Sequence, residues 1–190
     1  MGTGINIDWT ANLLEQLTWH WEGQLRPRFD GLTDAEYLWE PVEGAWSLRA
    51  AGTGRAAMAA GGGALLADFE FPQPTPAPVT TIAWRMAHLL VGVLGARNAS
   101  HFGWPPVDYF TKVYPSTAAE ALAELDVEYA RWTQGVGGLD ASSLATPVGP
   151  AEGDFAAHPW AGLILHINRE LIHHGAEIAL LRDLYAHRRA

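Results

Sequence analysis

Cysteine is absent from the 190 residues. That excludes a disulfide scaffold, a thiolate-rich zinc site and a cysteine nucleophile. Basic residues are scarce: 12 Lys and Arg stand against 21 Asp and Glu, a net charge of −9. Nucleic acids and anionic membranes are bound through basic patches, so this balance argues against both as partners. Arg26, Arg28, Arg188 and Arg189 are too few and too scattered to reverse it. Long apolar runs are missing too. The stretch that comes closest to one, residues 89–94, is far too short to span a bilayer. The N-terminus shows no basic region followed by an apolar core, so no signal peptide is read, and a cytoplasmic protein is expected.

What is present is a globular composition. Hydrophobic residues make up 48% and charged ones 17%, and the length fits one domain over residues 1–190. Asp8 is placed to cap a helix over residues 9–27, with Leu13, Leu14, Leu17, Trp21 and Leu25 as its apolar stripe. Thr33 and Glu36 form a capping box for a short helix ending near Trp39. Residues 50–71 give mixed signals. The alanines favour helix, but Gly52, Gly54 and the triplet 61–63 oppose it. The reading is an extended segment over 64–71, paired in a small hairpin with the Ser47 region. Four prolines between 72 and 78 make a stiff crossover.

Thr80 or Thr81 then caps a strongly apolar helix to about Asn98, with His88 at its middle. Gly92 and Gly95 share His88's side and are expected to leave room for an ion and a ligand. Residues 101–106 read as a loop at a pocket mouth. Thr117 and Glu120 form a second capping box, followed by the stripe Leu122, Leu125, Tyr129, Trp132 and Val136, stopped at Gly137 and Gly138. A last helix is expected to run to about His187.

The chemistry concentrates in that last helix. Ile167, Leu171, His174, Ile178, Leu181 and Tyr185 repeat at the spacing of one face. Glu170 and His174 are four apart and therefore side by side, able to reach one ion together. His173 lies about 100° around the axis from His174, so only one of the two shares Glu170's side. Alone, such a pair serves equally as an intrahelical hydrogen bond. His88 from a second helix would make it a set of two imidazoles and one carboxylate. That set suits catalytic zinc with an open fourth position, and suits Fe(II) as well. Four long helices with one long excursion after the first describe a four-helix bundle, whose core is where facing helices build metal sites.

Three stretches carry a resemblance across essentially the whole chain: residues 38–41 with 46–49, residues 80–89, and residues 166–175. In order and spacing they resemble the DinB/YfiT-like superfamily of metal-binding four-helix bundles, which includes the mycothiol-dependent maleylpyruvate isomerases. The resemblance implies an up-down-down-up bundle with a small extended excursion between helices 1 and 2. It implies a homodimer, and a divalent ion held by His88, Glu170 and His174, the residues through which catalysis would run. Many members carry histidine where this chain has Glu170; the isomerase branch uses glutamate. Zinc is the first expectation, with nickel, iron and manganese as alternatives.

The activity this suggests is metal-dependent transfer or isomerisation with a low-molecular-weight thiol such as mycothiol. The rival readings are a metal-dependent hydrolase and a bundle that binds metal or ligand without turnover. In the thiol reading, His20, His101 or His166 orients neighbouring groups or shuttles protons, and Arg85 or Arg169 pairs with a substrate carboxylate.

Overall fold

The computed structural model describes residues 7–188, so Arg189 lies outside it. It is mostly helical, with one small antiparallel sheet. Asp8 caps helix α1 (Trp9–His20) by accepting from the Ala11 amide at 3.0 Å. The winding then loosens into a π-helix (Trp21–Leu25) and tightens into a 3₁₀ turn (Arg26–Phe29). Pro27 sits in the first turn of that 3₁₀ segment, where its missing N–H costs least. The rod therefore continues to residue 29, and Leu17, Trp21, Leu25 and Phe29 are buried along it.

Thr33 and Glu36 make the expected reciprocal cap on α2 (Asp34–Tyr37). The sheet comprises β1 (Leu48–Ala50), β2 (Met58–Ala60) and β3 (Leu65–Phe69), in the order β1-β3-β2. β3 pairs with β1, Leu48 facing Ala67, as the hairpin reading expects. β2 was not expected, because its alanines suggested helix. Cross-strand pairing with β3, Met58 opposite Phe69, overrides that weak propensity. The glycine triplet lets this sheet pass tightly against residues 111–113: a side chain at Gly62 would begin 2.4 Å from the Thr111 carbonyl oxygen.

Asp68 locks the sheet in place. It is almost fully buried, and its carboxylate accepts from the Ser47 amide, the Arg49 guanidinium and the Arg55 amide. Its own carbonyl accepts from the Trp84 indole at 2.8 Å, which ties the sheet to the next helix.

Thr81 caps that helix, α3 (Ile82–His88). The chain winds on as a π-helix (Leu89–Gly95) and then as α4 (Ala96–Phe102). This rod ends four residues later than expected. His101 and Phe102 belong to its last turn and not to a loop, because the stop is Gly103, at φ 73° in the left-handed region. Helix α5 (Ala118–Gly137) starts at the Thr117–Glu120 capping box and buries Ala121, Leu125, Tyr129, Trp132 and Val136. Helix α6 (Trp160–Ala186) buries Ile164, Ile167, Leu171, His174 and Ile178, while Tyr185 is only half-buried against Trp39.

The long helices share one apolar core, each large buried side chain contributing roughly 1.5–3 kcal/mol. Asn168 crosses it, donating to the Leu13 carbonyl at 2.8 Å.

Candidate metal centre

His88 ends α3 and faces α6, where its ring meets that of His174 edge-on, with centroids 4.9 Å apart. Glu170 stands one turn before His174, its Oε2 3.4 Å from His174 Nε2. One ligand atom from each of His88, Glu170 and His174 falls within a sphere of mutual distances no greater than 4.8 Å. Ligands on a common ion, each with a bond near 2 Å, are separated by about 3–4 Å, so a small side-chain adjustment would satisfy them all.

Both imidazoles are held by their other nitrogen. His174 Nδ1 lies 2.7 Å from Glu177 Oε2 and donates to it. His88 Nδ1 lies 2.9 Å from the Tyr109 hydroxyl. The carboxylate can only accept, so it selects the His174 tautomer that leaves Nε2 free, while the Tyr109 hydroxyl, which can donate or accept, fixes the plane of the His88 ring. Burial, reinforced by the facing His174, pushes the His88 pKa down to about 4, so it is neutral and ligand-ready at pH 7. Burial also pushes the Tyr109 phenol up to about 12, which keeps its proton in place. The donor set and its outer supports thus fit a divalent cation.

The room beside His88 is used differently from the sequence expectation. A side chain at Gly92 would begin 2.0 Å from the Tyr109 hydroxyl, and one at Gly95 2.6 Å from Val107. The glycines make space for the 107–109 segment and not for an ion. Arg85 is likewise not free for a substrate. Its Nε lies 3.1 Å from Glu177 Oε2, and so a cation already stands beside the second cluster, His173, His174 and Glu177. His173 itself is exposed, its ring 3.4 Å from Glu177 Oε1.

The remaining histidines separate. His20 lines a groove with Arg28 and Asp183, away from the triad. His101 is engaged with Glu152 at 2.9 Å and packs on Trp160. His166 stays close, its Nδ1 3.6 Å from Glu170 Oε1. Two supports went unnoticed in the sequence. Glu177 carried a signal, three residues beyond His174 on the same helix; Tyr109 carried none, since it arrives from a loop 21 residues after His88.

Two cavities flank the centre. One, of about 250 Å³, is almost wholly apolar and is lined by Phe69, Trp84, Ala87, His88, Tyr109 and Phe110. The other, of about 330 Å³, mixes apolar side chains with Arg97, Glu152, His166 and Arg169.

A family model described as the DinB superfamily matches residues 63–178, more than half of the chain. The matched span contains β3, the His88 rod, α5 and both Glu170 and His174 of α6. No curated protein and no solved structure matches the chain. Among the described residues, no helix is long and apolar enough to cross a membrane.

Proposed function

The chain belongs to the DinB superfamily, and from that premise we propose that it is a divalent-metal-dependent enzyme acting with a low-molecular-weight thiol. The observation that carries the reading is the meeting of His88, Glu170 and His174, with both imidazoles oriented by further partners. Zinc fits two nitrogens and one carboxylate with an open position. When bound, the ion supplies Lewis acidity that lowers the pKa of a thiol at that position. The four rods, in this reading, form the family's up-down-down-up bundle.

The chain's own residues do the rest. Glu177 and Tyr109 fix the ring planes of His174 and His88. Trp84 stacks on His88 with centroids 6.0 Å apart and, with Phe110, keeps water from that side. The apolar cavity offers a dry place for the carbon skeleton of a reactant. The protein has no cysteine, so the sulfur must come from a small molecule.

Metal analysis of untagged protein tests the first step. About one equivalent is expected in the wild type and none in His88→Ala; equal metal content in both sinks the triad. Thermal-shift measurements with mycothiol, bacillithiol and glutathione on metal-loaded protein test the second, because a ligand that binds only the folded state raises Tm. If none of the three shifts Tm, the thiol reading fails and the metal reading stands.

A further inference from the structure

The apolar cavity against His88 combines very small side chains with large aromatic ones. Ala60 of β2 stands opposite Ala67 of β3 in the ladder, and Ala87 of α3 adds a third methyl group. Residues 67 and 69 share one face of β3, so Phe69 joins the same surface. Its ring meets that of Phe110 edge-on, with centroids 6.4 Å apart. Trp84 lies nearly parallel to His88, with 15° between the planes. An apolar cavity of roughly 150 Å³ holds benzene. This one, at about 250 Å³, has room for a substituted ring or two fused rings.

Polar side chains reach this surface, but their groups are already engaged. The Trp84 indole donates to the Asp68 carbonyl at 2.8 Å. The Asp68 carboxylate accepts from the Ser47 amide, the Arg49 guanidinium and the Arg55 amide. The Tyr109 hydroxyl and His88 Nδ1 hold each other at 2.9 Å. Among the described residues, no cationic side chain lines the cavity. An anion entering here would give up its water for no partner, which is costly, whereas an uncharged carbon ring gives up only its unfavourable contact with water. The aromatic walls add a preference among rings, because offset and edge-to-face contacts contribute beyond the area they bury.

His88 is the wall that this cavity shares with the triad: the same ring lines the cavity and meets His174. Phe110, 56% exposed, stands where the cavity opens to solvent.

Resting on the metal reading above, we propose that this cavity is the substrate site and that the substrate carries an uncharged aromatic group of one or two rings. The ring packs among Phe69, Trp84 and Phe110, the three alanines set its size, and His88 brings it beside the place of the ion. Ala60, Ala67 and Ala87 are thus specificity residues.

Toluene, benzoate and methylcyclohexane are titrated by calorimetry and thermal shift into chelator-treated, metal-free protein, so that no ion captures the carboxylate. Toluene should bind and raise Tm. Benzoate should bind about a hundredfold more weakly or not at all. After each is referred to its own partition from water into alkane, methylcyclohexane should bind about two- to tenfold more weakly than toluene. Ala60→Leu, on the edge strand of the sheet, should occupy the space and weaken toluene about tenfold or more while retaining wild-type metal content. Phe110→Ala, an exposed change that leaves folding intact, should weaken it about threefold. In cobalt-loaded protein the paramagnetic ion should enhance the proton relaxation of bound toluene.

Failure of toluene to bind, benzoate binding as tight as toluene, or toluene affinity unchanged in both variants overturns the site. No residual preference over methylcyclohexane overturns the aromatic assignment. Toluene that binds cobalt-loaded protein without enhanced relaxation lies away from the ion, which overturns its place as the substrate site. A wild type that takes up no cobalt yet binds toluene, with Ala60→Leu blocking it, refutes the metal reading alone.

Discussion

Replacing Gly92 with alanine puts a methyl carbon 2.0 Å from the Tyr109 hydroxyl and 3.2 Å from His88 Nδ1. The first contact cannot stand, so the phenol must leave and the 2.9 Å bond that orients His88 breaks; the second asks the imidazole to give by only a few tenths of an ångström. Three terms set the size of the effect. Overpacking a filled interior costs about 1–3 kcal/mol. Losing the hydrogen bond costs about 1 kcal/mol. Against them, alanine in place of glycine in a helical segment returns about 1 kcal/mol. The net is a destabilisation of about 1–3 kcal/mol, and metal affinity should fall about 10- to 100-fold because the ligand's outer support is lost. Urea denaturation and competitive metal titration measure both quantities. The diagnostic variant is Gly92→Ala with Tyr109→Phe. Removing the hydroxyl removes the 2.0 Å clash, leaving the ring carbon at 3.1 Å, so the pair should be more stable than the sum of the single effects by about 1 kcal/mol or more. If Gly92→Ala alone proves as stable as the wild type, or the two changes simply add, the hydroxyl is not what fills that space.

Glu177→Gln should keep the fold and lower metal affinity about tenfold, since a neutral amide orients His174 less firmly and leaves Arg85 without its anion; competition with a chromophoric chelator reads it. Metal-free protein should lose stability as pH falls from about 6.5 to 4. His88 has a folded pKa below its unfolded one, so the unfolded chain takes the proton first, and the loss approaches about 3 kcal/mol below pH 4. Urea midpoints across that range, with His88→Gln flattening the profile, provide the check. Asp68→Asn should destabilise by about 3 kcal/mol, because the Arg49 guanidinium loses a buried carboxylate. Amide hydrogen exchange of the β3 ladder should then report the loosened sheet at lower urea than circular dichroism reports the helices.

Local chemistry was legible wherever a segment decides its own shape. Asp8, Thr33–Glu36, Thr81 and Thr117–Glu120 all cap where their spacing placed them. The α6 face was readable because burial repeats at helical spacing from Ile167 to Leu181. β2 was not, since its alanines acquire their conformation only from pairing with β3. Nor was the use of Gly92, which depends on a tyrosine that approaches through tertiary packing. The Arg85–Glu177 pair escaped for the same reason: its partners sit on separate rods and carry no mutual spacing signal.

The π-wound stretch Leu89–Gly95 stands between His88 and Arg97 on one rod. Wider winding advances each residue by less than the usual 100° around the axis, so residues 89–95 set the angle between His88 and Arg97. Relaxing the stretch to ordinary winding with its length unchanged would leave His88 in place and rotate Arg97 around the axis, whereas deleting one residue at the same time would nearly restore the present phase. The extra residue held by this wide turn therefore keeps both halves of the rod in register with the neighbours they pack against.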